Sequence, residues 1–222
     1  PMPNPAWSLE VDCYQQWLAK HGVKWEREFG KVQMAGWPEQ FQAGMPAEHD
    51  QSTWCATEAI SFLSQERSCP WFMSVNTFSP HPIVSWRPAG MKPVVPEGSG
   101  ASHPPANFFA PPEFMARVRP DDMPLPLYRE SDLVTQRPLA GVDHQTTVPL
   151  GPSAYPARYM VATYYASIEA IDCQVGRMLD TLEATGQRDN TLVIFTSDHG
   201  EMLGDHGLFA KGCRFYEGAV HV

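Results

Sequence analysis

Residues 191–212 read TLVIFTSDHGEMLGDHGLFAKG. The first seven are apolar or small and β-prone, without the alternation of a half-exposed strand. An unbroken run of this kind fits a strand of a parallel sheet that is covered on both faces. A polar cluster follows at once: Asp198, His199, Gly200 and Glu201. Ligands of open parallel sheets bind just outside the carboxyl ends of the strands, so this position is where a site is expected.

Working outward, the segment before this run has helical spacing. Ile168, Ile171, Val175, Met178 and Leu182 recur at intervals of three and four, which predicts a helix over about 156–184 with those residues on its inner face. Gly186 is the stop signal. Further upstream, 71–78 (WFMSVNTF) predicts a second buried strand, followed by Ser79-Pro80-His81. A helix is predicted over 52–65, capped by Asp50 or Ser52, with Trp54, Ala59, Ile60, Phe62 and Leu63 mostly on one face. The order helix, strand, long loop, helix, strand predicts an α/β fold with a mainly parallel sheet. If the two strands are parallel, the clusters at His81 and Asp198 lie on the same sheet edge and converge.

Between the strands lies a stretch with no regular period. Sixteen of the 22 prolines fall in 80–156, and proline both fixes φ and removes an amide donor. A long irregular excursion is expected there, partly packed on the body through Trp86, Phe108, Phe109, Phe114 and Tyr128.

Composition removes several classes of partner. A formal charge of −9 opposes nucleic acid and anionic membranes at long range. There is no run of eighteen apolar residues to span a bilayer and no basic, apolar leader at the start. The chain opens at Pro1 and stops at Val222 within an unpunctuated segment, so truncation at both ends is expected. The five cysteines (Cys13, Cys55, Cys69, Cys173 and Cys213) form neither a Cys-x-x-Cys pair nor a zinc-ligand spacing, and buried free thiols are expected. Compartment and oligomeric state are not specified by these features.

The chemistry of Asp198 and His199 alone is ambiguous. A carboxylate beside an imidazole at a strand end makes two good ligands for a divalent metal, but at least two more are needed. Asp198 fits equally well as a helix cap and His199 as a surface residue. Lys211 and His81, taken singly, read as a solvated lysine and a loop histidine.

The spacing across the whole segment changes that balance. Ser-Asp-His-Gly-Glu (197–201), Leu-Gly-Asp-His-Gly (203–207) and Lys211-Gly212 together resemble the metal-binding segment of the sulfatase family, in the alkaline-phosphatase superfamily. Residues 46–63 (PAEHDQSTWCATEAISFL), 70–83 (PWFMSVNTFSPHPI), 164–200 and the stretch to Val222 agree as well, rather more than half of the chain. The resemblance implies an alkaline-phosphatase-like sheet with helices on both faces, truncated at both ends, in which 1–222 is a partial catalytic domain. It implies that Asp198 and His199 are metal ligands. Lys211 would bind the oxygens of the transferred group. His81 would do the same and protonate the leaving oxygen, chemistry that suits a lysine point charge and a histidine titrating near neutrality. Glu201, Asp205 and His206 fit either ligand-orienting or plain loop roles.

The resemblance also implies a divalent metal, Ca²⁺ first with Mn²⁺ or Zn²⁺ admitted by the imidazole, and a formylglycine nucleophile. The motif that generates formylglycine, Cys-x-Pro-x-Arg or Ser-x-Pro-x-Arg, is absent from these 222 residues; Cys69-Pro70 has the wrong spacing. The nucleophile and the remaining metal ligands are therefore expected upstream, and the isolated chain is expected to be inactive. The leading expectation is a sulfuric ester hydrolase acting on a small anionic sulfate ester. The alternatives are a phosphonate monoester or phosphodiester hydrolase, whose subgroup also has histidine in the second metal position, and a non-catalytic member of the superfamily.

Overall fold

The computed structural model describes residues 12–82, 108–139, 149–209, 211 and 215–222. Asp12, fully buried, caps α1 (Cys13–Lys20) by accepting from the Gln15 amide at 3.0 Å. A short turn, α2 (Trp25–Glu28), follows. Asp50 caps α3 (Gln51–Leu63), accepting from the Ser52 amide at 2.9 Å, so the cap is the first of the two expected candidates. Tyr14, Leu18, Val23, Trp25, Phe29 and Met45 close one apolar cluster, against which Trp54 and Phe109 pack.

Part of the Pro-rich excursion is ordered by local rules. Proline at the first position starts α4 (Pro112–Met115). Asp132 reaches back to the Arg129 amide at 2.7 Å and opens α5 (Glu130–Gln136). Phe108 and Phe114 are buried and Phe109 packs against the first cluster, as expected; Trp86 lies outside the described residues. The long α6 (Ala157–Ala184) then crosses the body and packs along α3 and α4. It ends at Gly186, whose φ of +69° lets the Gln187 amide return to the Leu182 carbonyl at 2.9 Å. The final element is α7 (Glu217–Val220).

The inner face of α6 differs from the expected one. Met160, Ala162, Ala166, Ala170 and Gln174 are buried, whereas Ile168 is 41% exposed and Ile171, Val175 and Met178 are only partly covered. Of the predicted stripe only Leu182 is buried. The physical reason is close approach: Ala166 and Ala170 let the helix sit tightly on Ala43, Ala110, Phe114 and Met115, and larger residues face away. The cysteines differ too. Cys13, Cys69 and Cys173 are exposed free thiols and Cys55 is half-buried; Cys213 lies outside the described residues.

The two predicted strands are extended, but among the described residues no strand forms; the only pairing is an isolated antiparallel bridge between Gln33 and Gln42. Trp71 donates its indole N–H to Gln187 Oε1 at 3.2 Å, and the His81 and His199 rings, past the two segments, lie 6.3 Å apart. Phe72, Leu192, Ile194 and Phe195 are each at least 75% exposed. A strand exists only when a neighbouring backbone stands at ladder distance, and here neither segment has one.

Candidate functional site

Residue 81 is placed by the first extended segment. The buried side chain of Gln51, on the inner face of α3, accepts the Phe78 amide at 3.0 Å, and the His81 amide closes a turn onto the Phe78 carbonyl at 3.0 Å. His81 Nδ1 lies 2.9 Å from the Pro82 carbonyl. A carbonyl only accepts, so Nδ1 carries the proton and Nε2 is the nitrogen that remains for other partners. Gln51 was not singled out from the sequence; its signal, a polar residue in register with the apolar face of a helix, is common to many structural residues.

Residues 198–201 follow the second segment. His199 repeats the arrangement of His81: Nδ1 donates to the Gly200 carbonyl at 2.9 Å, and Nε2 is the outward nitrogen, 3.7 Å from Asp198 Oδ2. The Asp198 side chain is 87% exposed, with Oδ1 accepting the His199 amide at 3.0 Å. Gly200 is demanded by space. Its amide donates to the Ala219 carbonyl at 2.8 Å, and a Cβ there would lie 2.2 Å from the Gly218 carbonyl oxygen. Any side chain would push the loop away from α7 and turn Asp198 and His199 with it.

Glu201 points the other way, inward. Its side chain is 4% exposed, Oε1 accepts the Met202 amide at 3.1 Å, and Oε2 lies 3.7 Å from Lys211 Nζ. Burial pushes the Glu201 carboxyl up, and the Lys211 ammonium opposes that. His81 is held below the ordinary histidine value, first by burial and then by the nearby charges of Lys211 and His199, against the pull of the Pro82 carbonyl and Asp198. Lys211, His199 and Asp198, the other residues singled out from the sequence, therefore all sit within electrostatic reach of His81.

Asp205 and His206 do something else. Asp205 Oδ1 accepts the Leu127 amide at 2.7 Å and the His206 amide donates to the Leu127 carbonyl at 2.8 Å, so the pair brackets one residue of the Pro-rich excursion. His206 stacks on Tyr216 at 4.4 Å and lies 3.6 Å from Asp132 Oδ1. Gly204, at φ +100°, sits where a Cβ would meet the Tyr155 hydroxyl at 2.2 Å. This turn fastens α5 and its approach to the site loop.

The outward carboxylate of Asp198 and the Nε2 of His199 are donors that a divalent cation accepts, with a second proton-donating nitrogen fixing the imidazole as metal-bound histidines require. They make half a set: among the described residues no group of three or more such ligands converges. A cavity of about 40 Å³ opens beside His81, lined by Tyr14, Trp25, Phe29, Asp50, Phe78 and Phe109.

With the site laid out, its relatives can be placed. The protein is similar to the multifunctional alkaline phosphatase superfamily protein PehA of Trinickia caryophylli, 29% identical over 93% of this chain and 39% of the relative. It is 30% identical to the choline-sulfatase of Rhizobium meliloti over 78% of this chain and 30% of that enzyme. Among solved structures, the phosphonate monoester hydrolase of Silicibacter pomeroyi superposes with a TM-score of 0.67 over 96% of this chain and 40% of the other, at 22% identity, a likeness of fold. The chain thus spans about two fifths or less of these relatives. The sulfatase family model matches residues 12–222, and the chain belongs to the sulfatase family.

Proposed function

We propose that this chain supplies part of the active site of a metal-dependent sulfuric ester hydrolase, with Asp198 and His199 as metal ligands and His81 and Lys211 as ligands of the sulfuryl group. The observation that carries the reading is the convergence of these four residues from loops far apart in sequence. Family membership supports reading it as part of a hydrolase, and the similarity to a choline-sulfatase supports a sulfate ester as substrate class. A bound divalent cation would supply Lewis-acid stabilisation of charge on the transferred group. The chain's own residues do the rest. Lys211, fixed beside Glu201, offers a point charge to the anion's oxygens. His81 presents Nε2 with Nδ1 already satisfied, the form able to hand a proton to a leaving oxygen once charged.

The nucleophile, a formylglycine, and the remaining metal ligands are assigned to polypeptide outside these 222 residues, since no motif for them occurs within. In the same reading, residues 71–78 and 191–197 are parallel strands of a sheet completed by the rest of the catalytic domain. A phosphonate monoester or phosphodiester substrate is the second reading. It is favoured by the imidazole of His199 in the metal pair and by the similarity to a relative described as multifunctional.

The test is turnover by the intact protein at saturating metal, with an aryl sulfate and a phosphodiester side by side. Lys211→Ala should cost about 2–4 kcal/mol of transition-state stabilisation, and Asp198→Ala more, because it removes a metal ligand as well as a charge. Wild-type turnover by Asp198→Ala would show that the metal site is placed on the wrong residues. Preference for the phosphodiester would select the second reading.

A further inference from the structure

The nine residues between Glu201 and Lys211 include the turn that grips Leu127, and Lys211 Nζ lies 3.7 Å from Glu201 Oε2. Both side chains are largely enclosed, 4% exposed for Glu201 and 15% for Lys211. A carboxylate is rarely buried without a reason, because desolvation costs more than an exposed ion pair returns. Among the described residues its other oxygen accepts the adjacent Met202 amide, a bond that a neutral amide side chain could equally accept. The cation that this negative charge faces most closely among the described residues is Lys211. A lysine has a flexible four-carbon stem and loses about 2 kcal/mol of rotamer freedom when held in one place, so an ammonium that must meet an anion at a fixed point needs an anchor. One of its three N–H groups directed at Glu201 leaves two for the incoming oxygens.

We propose that Glu201 is a positioning residue, which aims the Lys211 ammonium at the transferred group and does not itself touch substrate. The proposal rests on the reading of Lys211 as an anion ligand. Glu201 also follows His199 by two positions, so one short turn sets both the metal pair and the lysine's anchor. Its negative charge works against anion binding at long range. Its benefit therefore lies in geometry, and this separates it from a residue that merely adds attraction.

The experiment uses the intact, metal-loaded protein with Glu201→Gln, Lys211→Ala and the double variant, measuring kcat on an aryl sulfate, the inhibition constant of inorganic sulfate, and the thermal midpoint. Glu201→Gln keeps the acceptor for Met202 and is expected to lower kcat about 10–100-fold, less than the roughly 100–1,000-fold for outright loss of one aligned stabilising group, because the lysine itself remains. Sulfate should bind as tightly as to wild type or more tightly. In the Lys211→Ala background, Glu201→Gln should lower kcat by no more than about threefold further, because residues acting as one unit are non-additive. Should Glu201→Gln fail to fold, Glu201→Asp replaces it: it retains the charge, retreats by one methylene, and should show the same split between kcat and sulfate affinity. Losses that multiply in the double variant, or weaker sulfate binding with a lowered midpoint, would overturn the proposal. If Lys211→Ala is impaired and Glu201→Gln is not, the positioning role alone falls. If Lys211→Ala turns over like wild type, the reading of Lys211 falls and takes the positioning role with it.

Discussion

Met160 and Ile194 are both large apolar residues in strongly apolar surroundings of the sequence, yet one is 1% exposed and the other 75%. Met160 lies on α6, whose backbone satisfies its own hydrogen bonds and needs only a facing surface. Phe41, Phe108, Tyr155 and Phe209 provide that surface from within the chain. Ile194 lies in an extended segment, which needs neighbouring backbone as well as neighbouring side chains. Among the described residues helical structure is thus self-sufficient, and sheet structure is not. The contrast divides the molecule into a packed helical body and a bare pair of extended segments that carry the site at their ends.

The contrast makes its largest prediction in the body. Met160→Ala should destabilise the chain by about 2–5 kcal/mol, the cost of removing a buried side chain from a cluster that cannot collapse fully around the void. Urea unfolding followed by far-ultraviolet circular dichroism measures it. A loss below about 1 kcal/mol would mean that the body is loosely packed and the contrast false.

A second prediction compares two thiols across the boundary. Cys55 sits on α3 in the body, where burial pushes its thiol up to about 11. Cys69 is exposed, just before the first extended segment. A raised thiol pKa lowers the thiolate fraction at any pH below it, and the thiolate is the species that reacts. At pH 8 a thiol of pKa near 11 is about 0.1% ionised, against roughly a quarter for an ordinary thiol near 8.5. Iodoacetamide should therefore label the half-buried Cys55 much more slowly than the exposed Cys69, read by peptide mass mapping. The Cys55 rate should climb about tenfold per pH unit from 8 towards 11, then level off. Equal rates at pH 8 would show α3 opening readily.

How much of this was legible beforehand depends on the range of the physics involved. The cap and the stop are local events, decided within one turn: α3 begins at Asp50, the first of its two candidate caps, and α6 ends just before Gly186. The inner face of α6 was misread because hydrophobic periodicity favours large residues, while Ala162, Ala166 and Ala170 bury the helix by allowing close approach. The residues of the site were visible because His81 and Asp198 each follow an apolar run and because the 197–212 spacing resembles a family. The pairing of Glu201 with Lys211 and the hold of Gln51 on Phe78 are contacts made by the folded chain, and neither spacing nor composition carries them.

The smallest predicted effect is the most informative about the extended segments. Ile194→Ser in the 222-residue chain should change stability by less than about 0.5 kcal/mol, as surface substitutions generally do, because its side chain is three-quarters exposed and contributes little burial. The same substitution in the longer protein should cost several times more if further strands cover this segment, since the hydroxyl would then lose its water as well as the isoleucine's packing. Measuring both by urea unfolding turns one substitution into a probe of context. A cost of about 2 kcal/mol already in the 222-residue chain would mean that residue 194 is packed in solution, by pairing of the two segments or by a second copy. The former would leave the chain monomeric in analytical ultracentrifugation, and the latter would not. Negligible cost in both settings would remove residues 191–197 from the sheet altogether, and with them the reason for expecting Asp198 at a strand end. The placement of the proposed metal pair would then depend on the Gly200 contact with α7 alone.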